Sequence, residues 1–89
     1  MDVKFTDYLK CRAQLRGFDL DKIEEILKYS TERYLDMVTN RKVVVGRHDN
    51  TLILIPYEIE GDLFVPVTVH TTTRQQVKFR IKAGRFVYE

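Results

Sequence analysis

Residues 34–69 read YLDMVTNRKVVVGRHDNTLILIPYEIEGDLFVPVTV, and this stretch decides the fold. Its apolar and β-branched residues form four short runs bounded by turn formers, as is typical of β-strands. The runs cover residues 34–38, 43–45, 52–55 and 63–69, and the turns cover residues 39–41, 48–50 and 60–62. Connections this short join antiparallel neighbours. The stretch therefore predicts a four-stranded antiparallel meander, with Pro56 and Pro66 at strand ends, bulges or an edge because neither can donate a ladder hydrogen bond.

Two helices are predicted in front of the meander. The first should cover residues 7–16, because Thr6 can accept a backbone N–H as its N-cap and Gly17 suits the left-handed position after its end. Its helical periodicity is carried by Tyr8, Cys11, Arg12 and Leu15. The single cysteine is expected to be buried, as free cysteines often are. Asp19 caps a second helix, and the short linker predicts that the two helices form a hairpin packed on one face of the sheet.

The residues after His70 admit two structures. As a helix, Thr72 and Gln75 form a capping box and Gly84 ends the element. As a strand, apolar and cationic residues alternate over residues 77–83 and give a cationic ladder. The sequence favours the helix, because the capping box and the terminal glycine agree with each other.

These elements predict an α+β fold in a single domain, residues 1–89. An N-terminal helical hairpin packs on the four-stranded meander, which becomes five-stranded if residues 85–88 add a final strand, and a basic helix or strand lies near the C-terminus. The composition, 44% hydrophobic and 31% charged, is that of a globular domain. The longest apolar run, residues 52–56, is far shorter than the roughly 20 residues that a bilayer requires. With no secretory signal pattern either, a cytoplasmic protein without a membrane partner is expected.

The basic character of the chain is concentrated near its end. No acidic residue occurs over residues 63–88, and the cations of this stretch are Arg74, Lys78, Arg80, Lys82 and Arg85. Cations among neutral hydroxyls and amides suit a polyanion, because each phosphate can take a charge and several hydrogen bonds while counterions are released. The stretch therefore predicts nucleic-acid binding, with RNA as the expected partner.

The chain lacks the sequence motifs of common cofactor and metal sites. It has no Gly-rich phosphate loop, CxxC pair, HExxH motif or nucleophile elbow, so no cofactor and no metal site are predicted. His70 is the candidate for chemistry, since it ends the most apolar strand just before the basic stretch. It could transfer protons for a ribose 2′-hydroxyl, or it could be a hydrogen-bonded residue at a strand end. His48 is expected to be a solvated turn residue.

Several side chains near the C-terminus suit contacts with RNA. Arg74, Arg80 and Arg85 offer planar guanidinium groups for bidentate phosphate contacts. Further contacts are expected from Thr72, Gln75, Lys78 and Lys82. Aromatic faces on which an exposed base could stack, if they are not core residues, are those of Tyr57, Phe79 and Tyr88.

The chain also resembles a known superfamily. The resemblance is carried by the helical hairpin, the meander and residues 67–86, which read VTVHTTTRQQVKFRIKAGRF. This arrangement is similar to the small toxins of RelE and ParE type, and more closely to their BrnT-like and uncharacterised relatives. The resemblance implies a metal-independent endoribonuclease that a cognate antitoxin protein holds inactive. It also implies that His70 transfers the proton and that Arg74 or Arg80 stabilises the phosphate.

A second function is compatible with the same residues. The domain could be a non-catalytic interaction module that binds a partner protein, or pairs with itself as a homodimer, through an exposed strand. The two functions differ in geometry. An enzyme should gather His70 and at least two cations around one concave point, whereas a module can leave them dispersed on a convex surface.

Overall fold

The computed structural model describes every residue from Met1 to Glu89 and has an α+β fold, as predicted. Three helices accompany a mixed sheet of seven strands. In chain order the elements are β1 (Asp2–Val3), α1 (Asp7–Arg16), α2 (Leu20–Tyr29), β2 (Arg33–Asp36), β3 (Arg41–His48), β4 (Thr51–Glu60), β5 (Leu63–Pro66), β6 (His70–Thr71), α3 (Arg74–Lys82) and β7 (Phe86–Tyr88).

The four predicted runs pair as antiparallel neighbours, in the order β5-β4-β3-β2. The predicted count of four or five strands was nevertheless too low. β1 pairs in parallel with β5, β6 pairs with β4, and β7 pairs antiparallel with β2. β1 and β6 have two residues each, which is too short for an alternating pattern to be read in the sequence.

β5 and β6 lie along the same edge of β4, with a break between them. β3 occupies the other edge of β4. Residues 63–66 and 70–71 both pair antiparallel with β4, and the strand pairing is interrupted at residues 67–69. At the break Pro56 accepts a hydrogen bond from the Val67 N–H at 2.8 Å but has no N–H to return. Pro66 is the last residue of β5, as expected for a proline at a strand end.

The central strands are buried on both faces. Side chains alternate along a strand, so neighbouring residues of β3 and β4 serve different cores. The closed face of the sheet is packed with α1 and α2 in a cluster of Leu9, Ala13, Ile23, Ile26, Leu27, Val44, Ile53, Ile55, Tyr57 and Val69. The open face is packed with α3 in a smaller cluster of Tyr34, Val43, Val45, Leu52, Leu54, Val77 and Phe86.

The first helix begins and ends, and the second begins, where the sequence predicts. The Thr6 hydroxyl accepts from the Leu9 N–H at 3.2 Å, and Gly17 ends α1 with a φ of 74°. The Asp19 carboxylate accepts from the Asp21 N–H at 2.8 Å at the start of α2. Both helices contribute to the cluster on the closed face, while their pairing as a hairpin stays a prediction.

The predicted orientation of α1 was wrong. The helix buries Leu9 and Ala13, while Leu15 is 80% exposed and Cys11 is exposed rather than buried. The few apolar residues of this short helix lie on two stripes, one with Leu9 and Ala13 and one with Tyr8, Cys11 and Leu15. Packing against the sheet decides which of the two stripes is buried. The stripe of Tyr8, Cys11 and Leu15 therefore faces away from the core.

The favoured structure of the basic stretch, a helix, is confirmed in α3. Its N-cap is one residue later than predicted, because the Thr73 hydroxyl rather than that of Thr72 accepts from a helix N–H, that of Gln76 at 3.1 Å. Gly84 follows the helix with a φ of 79°, which suits a glycine. The chain can then turn into β7, so residues 86–88 form a strand, which the sequence left as one possibility.

Candidate functional site

A groove of about 440 Å³ lies between α3 and the open face of the sheet. Its floor is formed by two residues of β4, Leu54, which is buried, and Pro56, which is half-buried. One wall comes from the broken edge strand, and the other from α3 and from Arg85, which directly precedes β7. The polar and charged residues that line the groove are Asp36, Thr39, Arg41, Thr68, His70, Thr71, Thr72, Gln76, Arg80 and Arg85.

His70 is held at the rim of this groove by β6, opposite Leu54. Burial of the half-buried imidazole lowers its pKa, and the positive charges of Arg12, Arg16 and Arg80 lower it further. The ring is therefore neutral at pH 7, with one nitrogen able to accept a proton. Arg12 and Arg16 belong to α1 and do not line the groove, so positive charge near His70 also comes from outside the groove.

Arg80 is the cation of the groove without an acidic partner. Its guanidinium carbon lies 5.5 Å from the ring centroid of Phe86, a cation–π contact that fixes the side chain without neutralising it. None of the ion pairs in the structure involves Arg80. The charge of Arg80 is consequently available to an anion in the groove.

Arg85 also lines the groove, but its charge is already matched. Its guanidinium donates to both oxygens of Asp36, at 3.0 and 2.9 Å. Burial opposes the charge of this carboxylate, but hydrogen bonds from Arg85 and from the Val38 and Thr39 N–H groups lower the pKa of Asp36 below its ordinary value. The pair stays ionised and ties β7 to β2, so Arg85 has a structural role.

Arg74 lies outside the groove. Its guanidinium donates to Glu32 at 2.6 Å, and Glu32 also accepts from the Tyr34 hydroxyl at 2.7 Å. Burial opposes the charge of Glu32, but these two hydrogen bonds lower its pKa. The positive charge of Arg74 is therefore compensated by a residue that is 42 positions away in the sequence.

The remaining predicted residues divide between the groove and the outer surface of α3. Thr72 lines the groove and donates to the Gln76 side-chain oxygen at 3.1 Å. Gln75, Lys78 and Lys82 are exposed on α3 and do not line the groove. The structure thus brings together His70, Thr72, Arg80 and Arg85, and it leaves Arg74, Gln75, Lys78 and Lys82 apart from them.

Sequence reasoning missed four residues of this region. Arg41, at the start of β3, reaches the groove, and its only ion pair is a solvated one with Glu58 at 3.5 Å. Thr68 lines the break in the edge strand, and its buried hydroxyl oxygen has no hydrogen-bond partner. Arg12 and Arg16 act on His70 from α1. Their spacing of four residues on one helix was the only signal in the sequence that could have grouped any of them.

Two other sequence predictions are corrected by the structure. His48 is 7% exposed rather than solvated: its Nε2 accepts from the Asp19 N–H at 2.8 Å and its ring packs edge-on against Phe18. Tyr57 is a core residue and is closed to a base. Phe79 is 70% exposed, and Tyr88 is exposed but packs against Tyr34.

Comparisons of the chain with protein-family models, with curated proteins and with solved structures find no match. None of the three helices combines the length and the apolar character needed to cross a bilayer. No cluster of three or more His, Cys, Asp or Glu side chains is placed to hold a metal ion.

Proposed function

We propose that this chain is a cytoplasmic RNA-binding domain of the RelE and ParE toxin type, and that the groove beside α3 is a metal-independent endoribonuclease site. The observation that carries the proposal is the meeting of a neutral histidine, His70, and an unpaired arginine, Arg80, in one concave site. A surface that only attracted phosphates would not need a proton acceptor beside its cation.

In this mechanism His70 removes the proton of a ribose 2′-hydroxyl. The 2′-oxygen then attacks the adjacent phosphorus, and the bond from phosphorus to the 5′-oxygen of the next nucleotide breaks. The products are a 2′,3′-cyclic phosphate and a 5′-hydroxyl, which takes its proton from water or from the protonated His70. Arg80 stabilises the extra negative charge on the phosphorane oxygens, because its guanidinium is fixed and unneutralised.

The charges around the groove support binding of a polyanion. The one carboxylate that lines it, that of Asp36, is occupied by Arg85. Arg80 and Arg41 add positive charge within the groove, and the field of Arg12 and Arg16 reaches His70 from the side. An RNA strand that crosses the groove would therefore meet a positive field around His70.

The proposal is tested by cleavage and binding assays on a single-stranded RNA, with His70→Asn, Arg80→Gln and the matched control Arg74→Gln. His70→Asn should abolish cleavage while the RNA still binds. Arg80→Gln should weaken both cleavage and binding, and Arg74→Gln should change them little. The acid limb of the pH–rate profile should lie below the ordinary histidine pKa of about 6.5, since the pKa of His70 is lowered. Two results would overturn the proposal. One is that the wild-type chain does not bind RNA, and the other is that His70→Asn cleaves RNA as well as the wild type does.

A second candidate function is the non-catalytic interaction module, favoured by the apolar residues that the fold leaves exposed. β7 ends the sheet, so its outer edge is unpaired, and it carries Val87 and Tyr88 exposed. Such an edge can accept a strand of an antitoxin or of a second copy of the chain. Light scattering over a range of protein concentrations tests self-pairing, and Val87→Lys should abolish any dimer formed in this way. RNA binding without any cleavage would favour this candidate over the enzyme.

A further inference from the structure

A second concavity lies on the outer side of α3. It has a volume of about 720 Å³, its lining includes Gln75, Phe79 and Ala83, and it borders the groove at Arg80. The ring of Phe79 is 70% exposed, although a large aromatic side chain gains much free energy when it is covered. This concavity is therefore suited to a partner that brings an apolar side chain.

Two lysines stand beside this concavity. Lys78 and Lys82 are exposed and four residues apart on α3, and each lies three residues after one of the lining residues Gln75 and Phe79. Residues three or four apart are neighbours on a helix surface. None of the ion pairs in the structure involves either lysine. The outer side of α3 consequently combines an exposed aromatic ring with two uncompensated positive charges.

The outward side of α2 has the complementary pattern. Asp21, Glu25 and Tyr29 follow one another at intervals of four residues, on the side of the helix away from the buried Ile23. Tyr29 is 75% exposed, and neither carboxylate takes part in an ion pair. The cations of this helix are already in ion pairs, Lys22 with Asp49 and Lys28 with Glu24. α2 thus offers two unpaired negative charges followed by an exposed aromatic ring.

The charges on the two helices have the same spacing. Four residues of an α-helix rise about 6 Å, so both carboxylates of α2 can meet both lysines of an antiparallel α3 in a single register. In that register Glu25 faces Lys78 and Asp21 faces Lys82. The next position along α2, that of Tyr29, then lies at the level of Gln75, in the lining of the concavity.

These two helices cannot meet within one molecule, because α2 packs on the closed face of the sheet and α3 on the open face. We infer that α2 of one copy of the chain docks on the outer side of α3 of a second copy, with Tyr29 entering the concavity beside Phe79. The two copies use different surfaces, so the contact is heterologous and copies join head to tail. This inference does not depend on RNA binding, and its surface is not the β7 edge.

The contact should be weak and sensitive to salt. Ion pairs between exposed side chains contribute little each, and one helix docked on another covers less surface than a stable dimer needs. A dissociation constant on the order of 0.1 to 1 mM is therefore expected at about 20 mM salt. It should rise at least about fivefold at about 0.5 M salt, where exposed charges are screened.

The test is sedimentation equilibrium of the full chain at up to about 1 mM protein. Glu25→Lys and Lys78→Glu each place like charges opposite each other and should weaken association at least about fivefold. The chain that carries both changes has opposite charges again and should associate as the wild type does. Both residues are exposed in the middle of their helices, so the fold should tolerate the changes, which far-UV circular dichroism checks.

Two control variants identify other causes of association. Lys10→Glu reverses an exposed cation of α1 that is in no ion pair, and Val87→Lys changes the β7 edge. Neither should weaken association. Weakening by either control would overturn the inference, because association would then follow net charge or the β7 edge. It would also be overturned if the wild type stays monomeric at about 1 mM protein and about 20 mM salt, or if the double variant associates no better than the single variants.

Discussion

The two faces of the sheet are built from the same strands, but they form different surfaces. On the closed face, α1 and α2 cover alternate residues of β3 and β4 and leave an apolar core of ten buried residues. On the open face, a single nine-residue helix, α3, buries only Val77 fully, and a polar groove remains beside it. Coverage by one short helix is what makes room for His70 and Arg80 above a buried floor. Stability therefore resides mainly on the closed face, and the candidate chemistry lies on the open one.

The largest effect is expected from a cavity in the closed face. Ile55→Ala removes a side chain that is 0% exposed and should lower the free energy of unfolding by about 3 kcal/mol. The control on the same strand is Ile59→Ala, where the side chain is 47% exposed and the expected loss is less than about 1 kcal/mol. Urea denaturation measures both. Equal losses would show that burial in the closed-face core does not set the cost of truncation on this strand.

The second effect concerns the ion pair on the open face. Arg85→Gln leaves the buried carboxylate of Asp36 without its guanidinium and should cost about 2 kcal/mol at pH 7, the range for a hydrogen bond to a charged group. Because the pKa of Asp36 is lowered in the folded wild type, this stability is present above the ordinary carboxyl pKa and is lost as the pH falls through the folded value. The difference between variant and wild type should thus shrink below about pH 4. A difference that stays constant from pH 7 to pH 3 would contradict the role of the pair.

A smaller effect should follow from overfilling the closed face at Gly46. A Cβ there would lie 2.7 Å from Cγ2 and 2.8 Å from Cγ1 of Ile26, so β3 and α2 pack too closely for any side chain. Gly46→Ala should therefore cost about 1 to 2 kcal/mol.

In the double variant with Ile26→Ala the new methyl group can fill part of the cavity. The two changes together should cost less than the sum of the single changes in thermal or urea denaturation. Strict additivity would mean that the contact is unimportant.

The two faces also differ in how far the sequence predicts them. Caps such as Thr6, Asp19 and Gly17 are local signals, and the three helix ends that they mark lie at the predicted residues. Which stripe of α1 is buried depends on what the sheet offers it, so the inward position predicted for Cys11 was wrong. The two-residue strands β1 and β6 have no readable period.

The candidate site was predictable only in part. His70 and Arg80 are close in sequence, on two adjacent elements, and their meeting in one groove agrees with the expectation for the C-terminal stretch. Arg41 and Arg12 come from distant elements, and the partner of Arg74 is Glu32, which directly precedes β2. Such contacts depend on the order of the strands in the sheet, which charge patterns along the chain do not specify.

The smallest effect on stability is expected within α3 itself, where two arginines that look alike in sequence have different surroundings. Arg74 forms a pair with Glu32 in which its own side chain is 49% exposed, so Arg74→Gln should change the free energy of unfolding by less than about 1 kcal/mol. Its charge is already compensated, so the variant should leave the salt dependence of RNA binding nearly unchanged. Arg80→Gln should instead reduce the slope of log affinity against log salt by about 1, because it removes one phosphate contact. If the two variants reduce the slope equally, RNA contacts Arg74 as well as Arg80. Binding would then extend over the outer surface of α3 and would not be centred on the groove.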